Sequence, residues 1–181
     1  MSIKLFSYWE GVKHPYIGMC EESLAKNHPD FEVLTPESVP LALPEHREVW
    51  ESDYYKGLQP AHRADVVRAL RLREGGFAWV DLDFVCFRSL EPLMGVAERG
   101  DKFLYYKDSW GPTNGLLIAP HGHLMAREYA DKVLTVYRNM TRINPDPKTV
   151  PWTGMGADQL RACLAEPLAP HADLGSSRVQ L

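Results

Sequence analysis

Between residues 61 and 87 the apolar positions change from every third residue to nearly every residue. Ala64, Val67 and Leu70 recur every third residue and predict a helix over Ala61 to Glu74 with a buried stripe. His62, Asp65 and Arg68 fall on a neighbouring face of that helix. Gly75 and Gly76 follow as a stop, because glycine enters the left-handed region without a Cβ clash. From Phe77 to Phe87 odd and even positions are both mostly apolar, which predicts a strand covered on both faces. Asp81 and Asp83 interrupt that run.

The flanking pattern repeats the alternation. Ile3 to Trp9 reads as a first strand, and His14 to Asn27 as a helix with Pro15 in its first turn and Ile17, Cys20 and Leu24 on one face. Phe31 to Leu34 is a short strand. Residues 35 to 60 hold Pro36, Pro40, Pro44 and Pro60 and read as an irregular, mobile segment with one short helix near Glu45 to Ser52. Leu90 to Ala97 predicts one or two helical turns, and Phe103 to Tyr106 a strand. Asn114 to Ala119 is another strand, opened by an Asn-Gly turn signal. His123 to Met140 is an amphipathic helix, and Ala157 to Glu166 a last one. His121 and His123 are expected to face solvent. Strands alternating with helices predict a Rossmann-like α/β sandwich, and the length fits one domain over 1–181.

Two carboxylates in an apolar strand cost several kcal/mol unless something pairs with them. Period-two geometry puts Asp81 and Asp83 on one side, roughly 6.5–7 Å apart. Hard cations such as Mn²⁺ or Mg²⁺ accept one or two carboxylates and complete their shell with phosphates. The alternative is a strand end where both acids meet water.

The ordered set Arg63, Ala64-Asp65, Arg68, Gly75-Gly76 and Asp81-Leu82-Asp83 resembles the family 32 glycosyltransferases, whose sugar-binding region contains a DXD motif. That group includes capsular polysaccharide synthesis proteins and initiating mannosyltransferases. Ala64 stands where the family has serine, and Ala69 where tyrosine is common. The resemblance implies a GT-A fold with a mixed, mainly parallel central sheet flanked by helices. It implies a metal-dependent hexosyltransferase of polysaccharide biosynthesis that retains anomeric configuration. Its partners would be a UDP- or GDP-sugar donor and a saccharide or other hydroxyl acceptor. Asp83 is then the direct ligand of Mn²⁺ or Mg²⁺, and Asp81 binds ribose or sugar with a metal contact through water. Asp65 holds hydroxyls, and Arg68 orients Asp65 or reaches a phosphate. The resemblance also puts a base-stacking aromatic at Tyr8 or Trp9 and a sugar-subsite amide at Asn114. Gly154 stands in the family's Thr-Gly-Pro, with Met155 in place of proline, at a helix start that offers N–H groups to an anion. GT-A enzymes often complete the metal shell with a C-terminal histidine, which points to His171. Gly175-Ser176-Ser177-Arg178 would follow it onto the diphosphate, with Ser177 replacing the family's tryptophan.

Two other classes compete. Phe77 to Val85 fits the first motif of haloacid-dehalogenase-like phosphatases, but no late Asp-Asp pair accompanies it. A non-catalytic nucleotide-sugar-binding module is the other, favoured by the short chain. A net charge of −4 gives no footprint for nucleic acid. Cys20, Cys86 and Cys163 form no C-x-x-C pair and read as reduced thiols. No signal peptide or 18-residue apolar run is seen, so a cytoplasmic protein is expected, with peripheral membrane association as its variant.

Overall fold

A computed structural model describes residues 2–143, 146–166 and 169–174. Its centre is a six-stranded sheet in the order β2-β1-β3-β5-β4-β6. The strands are β1 (Lys4–Tyr8), β2 (Glu32–Leu34), β3 (Phe77–Val80), β4 (Phe103–Asp108), β5 (Gly111–Ala119) and β6 (His171–Asp173). Pairings β1–β2, β1–β3 and β4–β6 are parallel, while β5 pairs antiparallel with both β3 and β4. Among the described strands β5 therefore runs alone against five others, so the sheet is mixed and mainly parallel.

The doubly apolar strands explain the layers. Phe6, Trp79 and Leu117 face one core together with Val66, Leu70, Tyr129 and Val133. Leu5, Ala78, Val80, Leu116 and Ile118 face the other, with Ile17, Leu24, Met94 and Ala97. The first side is built by helices α5 (Pro60–Arg73), α7 (Leu124–Ile143) and α8 (Ala157–Ala165), the second by α1 (Pro15–Asn27) and α6 (Glu91–Gly100). Helix α5 is buried nearly all round, from His62 through Asp65 and Arg68 to Leu72. The expected α1 face of Ile17, Cys20 and Leu24 is the buried one.

Four expectations are corrected by the fold. Residues 35–60 are packed rather than loose: they form short helices α2 (Val39–Ala42), α3 (Arg47–Trp50) and α4 (Asp53–Gly57). Leu43, Val49, Trp50 and Leu58 from this segment are buried in the core. Strand β3 ends at Val80, so Asp81 and Asp83 do not share one side of a strand. Phe84 N–H donates to the Asp81 carbonyl at 3.2 Å and closes a turn around Leu82-Asp83. Asn114 lies within β5 rather than in a turn; the β4–β5 reversal is at Ser109-Trp110, where Trp110 N–H donates to Asp108 Oδ1 at 2.7 Å. His123 is buried, not solvent-facing. Its Nδ1 accepts from Met125 N–H at 3.2 Å, so its Nε2 carries the proton given to the Asp101 carbonyl at 3.1 Å.

The irregular stretch after Val80 keeps its backbone satisfied through α1. Tyr16 donates to the Asp83 carbonyl at 2.8 Å, Asn27 to the Cys86 carbonyl at 2.8 Å, and Cys86 N–H donates to Ser23 Oγ at 2.8 Å. Leu90 N–H donates to Nε2 of His28 at 2.9 Å. These side chains substitute for the missing ladder.

Candidate functional site

Strands β1 and β3 run in the same direction, so their C-terminal ends open on the same edge of the sheet. A cavity of about 450 Å³ lies there. Tyr8, Trp9 and Glu10 line it beyond β1, and Asp81, Leu82 and Asp83 beyond β3. Asp65 and Arg68 enter from α5, Asn114 from β5, and Trp152, Thr153 and Ala157 from the chain that opens α8. The crevice at strand ends is where open α/β sheets bind ligands.

Its floor is one charged unit. The Arg68 guanidinium donates from Nη1 to Asp65 Oδ1 at 2.9 Å and from Nη2 to Asp81 Oδ1 at 3.3 Å. It sits 4.4 Å from the centre of the Trp79 ring. Trp79 in turn donates its indole N–H to Asp81 Oδ1 at 2.7 Å, and Asn114 Nδ2 donates to Asp65 Oδ1 at 2.8 Å. Each acid thus commits Oδ1 to the scaffold. Among the described residues none donates to Oδ2 of either acid, and both acids line the cavity. Gly156 makes this packing possible: a Cβ there would overlap Asp65 Oδ1 and Asn114 Nδ2.

Burial pushes the Asp65 carboxyl up to about 6, against the pull of Arg68 and His62. Burial also raises Asp83, with the Asp81 charge adding to it. Burial opposes the charge of Arg68, yet Asp81 and Asp65 hold its pKa above the ordinary value. Glu10 at the rim accepts the Tyr8 hydroxyl at 3.2 Å and pairs with Arg63 at 3.0 Å, so it is neutralised inside the protein.

The structure therefore brings Tyr8, Trp9, Asp65, Arg68, Asp81, Asp83 and Asn114 to one cavity. Gly154 is in the adjoining turn, where its N–H donates to the Pro151 carbonyl at 2.9 Å and is not free for an anion. His171 is not brought to the cavity. It opens edge strand β6 opposite Phe103, at the level of Phe77, near the end of the sheet away from Asp81. That is three strand spacings across, about 14 Å, and about 13 Å along the strands. Residues 175–178 lie outside the described residues. Trp79, Tyr129, Trp152 and Gly156 were not read as site residues from sequence. Tyr129, buried on α7 beside Arg68, looks like core in any pattern. Trp152 and Gly156 flank the Thr-Gly pair and were within reach of that signal.

Among the described residues no three His, Cys, Asp or Glu side chains gather closely enough to hold a metal by themselves. Asp81 and Asp83 still fit a hard divalent cation. Both are oxygen donors at the cavity wall, Asp81 keeps Oδ2 free of the scaffold, and the two repel each other. The rest of the shell would come from ligand phosphates and water.

No protein-family model matches this sequence, and no curated protein matches it. Among solved structures the chain is similar to PaToxG glycosyltransferase, with a TM-score of 0.60 at 12% identity. The alignment covers 92% of this chain and 69% of that one. The likeness concerns the fold alone, a mixed sheet flanked by helices. No described helix is long and apolar enough to cross a membrane.

Proposed function

We propose that the cavity binds a nucleotide-diphosphate sugar and that the protein transfers its sugar to an acceptor hydroxyl, in a GT-A arrangement. One observation carries this reading. Two acids at the C-terminal edge of the sheet share one buried arginine and each leaves an oxygen for a ligand. Fixed carboxylate oxygens beside aromatic walls are the chemistry that binds hydroxyls and a base.

The charge balance supports divalent-cation dependence. Asp65, Asp81 and Asp83 outnumber Arg68 three to one, so a diphosphate alone would be repelled. Asp81 and Asp83 would hold Mn²⁺ or Mg²⁺, which when bound supplies Lewis-acid stabilisation of the departing diphosphate. Asp65 accepts sugar or ribose hydroxyls through Oδ2, and Asn114 and Arg68 fix its orientation. Tyr8 and Trp9 give the base a stacking surface, worth about 1–3 kcal/mol. In the reaction the C1–O bond to the diphosphate breaks, its electron pair leaving with the diphosphate. The acceptor oxygen bonds to C1 and passes its proton to the departing diphosphate. The resemblance favours retention at C1, which the anomeric configuration of the product reports.

A thermal-shift panel of UDP-, GDP- and CMP-sugars with and without Mn²⁺ tests binding, and donor hydrolysis tests turnover. A metal-dependent shift with one class is expected; ligand at a hundred times its Kd adds about 2.7 kcal/mol. Cleavage of a generic phosphomonoester with no nucleotide-sugar response would instead mark a phosphatase. Binding with neither hydrolysis nor transfer would mark a non-catalytic module.

Asp83→Asn is expected to keep the fold, raise the apo melting temperature slightly by relieving repulsion from Asp81, and abolish the Mn²⁺-dependent shift. An unchanged shift would remove Asp83 from the metal role. Asp65 must be ionised to accept two hydroxyl bonds well, so donor affinity is expected to fall as pH drops below about 6.

A further inference from the structure

Trp152 is 75% exposed and yet lines the cavity. A single exposed apolar side chain is ordinary on a protein surface, and what sets Trp152 apart is its place on the cavity wall. The turn that carries it is held firmly. His62 Nε2 donates to the Pro151 carbonyl at 3.1 Å, and Thr153 Oγ1 donates to Asp158 Oδ2 at 2.7 Å. The His62 ring meets the Trp152 indole edge-to-face at 6.3 Å. Gly156, four residues on, packs directly on Asp65 and Asn114. The indole is therefore tied through a short, braced turn to the Asp65 side of the floor. Tyr8 and Trp9 come from a different element, at the end of β1.

Sugars and bases ask for different surfaces. A base is flat and apolar on both faces. A pyranose has hydroxyls around its edge and a patch of C–H on one face. Asp65 Oδ2 and the Asn114 amide supply edge groups, and an indole supplies a partner for the C–H patch. We propose that Trp152 is the sugar-stacking residue of this cavity and sets its preference for a hexose-bearing nucleotide over the bare nucleotide. The proposal rests on the nucleotide-sugar reading and assigns its two aromatic walls to different halves of the ligand.

The experiment is titration calorimetry in Mn²⁺ on the wild type, Trp152→Ala and Trp152→Phe. The ligands are UDP and GDP and their glucose, galactose and mannose conjugates. The wild type is expected to bind one conjugate at least tenfold more tightly than its bare nucleotide. Trp152→Ala should cut that preference severalfold while leaving the bare-nucleotide Kd within twofold, and Trp152→Phe should restore part of it. Because the indole is exposed, melting temperatures of both variants should match the wild type. Equal weakening of nucleotide and conjugate would place the ring on the nucleotide and overturn the assignment. Retention of the full preference in Trp152→Ala, or a wild type with no preference, would overturn it too. A wild type that binds neither nucleotides nor conjugates would instead overturn the nucleotide-sugar reading, and this proposal with it.

Discussion

Arg68→Met is expected to destabilise the protein by about 3–5 kcal/mol at neutral pH, the range for stranding one side of a buried ion pair. Arg68 is 4% exposed, and its guanidinium is the charge partner of both Asp65 and Asp81. Methionine fills much of the same space but leaves two carboxylates facing each other without a cation. At about 2–4 °C per kcal/mol for a chain of this size, the melting temperature should fall by roughly 6–20 °C. The loss should depend on pH in a definite direction. The folded Asp65 titrates at about 6, above its ordinary 3.8, so the fold binds that proton more tightly than the unfolded chain. Stability from this group is therefore present below about pH 4 and lost as pH rises through about 6. Without Arg68 the folded value climbs further, so the deficit of the variant should be largest above pH 6 and shrink towards pH 4. Adding Asp65→Asn to Arg68→Met should recover part of it at pH 7. A deficit below about 1 kcal/mol, or one that grows on acidification, would show that the three side chains do not act as a charged unit.

Gly156→Ala should be nearly as damaging to the site from a single added methyl. The φ of −103° at Gly156 is not left-handed, and the space a side chain would need is already occupied. The methyl would overlap the two atoms that form the 2.8 Å Asp65–Asn114 hydrogen bond. Relief requires moving Asp65, which Arg68 holds, or moving the turn that carries Trp152. Overpacking of this kind costs about 1–3 kcal/mol, and metal-dependent donor affinity should drop at least tenfold. Gly18→Ala is the matched control. Gly18 lies inside α1 with nothing near its missing Cβ, so alanine there should stabilise by about 0.5–1 kcal/mol and leave the ligand response untouched. Equal effects from the two substitutions would refute the close-packing account of Gly156.

Much of the fold could be read from periodicity. The α1 face, the α5 helix with its glycine stop, and the doubly covered β3 all come from local spacing that tertiary packing did not override. Where local signals failed, a longer-range partner had won. Asn114-Gly115 has the composition of a turn, but it sits at a register break inside β5, with paired residues on both sides and the Gly115 carbonyl accepting from Asp81 N–H at 2.8 Å. The apolar run through Phe87 promises a long strand. Yet the ladder register ends at Val80, Asp81 N–H still donates to the Gly115 carbonyl of β5 at 2.8 Å, and the side chains of α1 take over the backbone beyond it. The proline-rich segment 35–60 hides its core residues because they are spread over turns with no period. At the cavity Asp81 and Asp83 were legible as acids interrupting an apolar run, and Asp65 and Arg68 through the ordered spacing that resembles a known family. Gly156 was not, since a close approach between distant segments leaves no trace in local spacing. His171 shows the converse: its composition and position near the end of the chain suited a metal ligand, while the strand order takes it to the far edge.

The division of labour within each carboxylate bears on which sugars the protein would accept. With Oδ1 anchored, Asp65 cannot swing away to find water when a ligand covers Oδ2. A donor with a hydroxyl missing at that point would seal an anionic oxygen in a dry place with no partner. Sites built this way reject the analogue lacking the group far more strongly than they reject one that is slightly too large, by factors of about 10⁴ against about 10–200 for a methylene. In a nucleotide-sugar site of this geometry, then, deoxy donors would be turned away while epimers that still reach Oδ2 compete, so that fidelity would rest on what a sugar lacks rather than on its bulk.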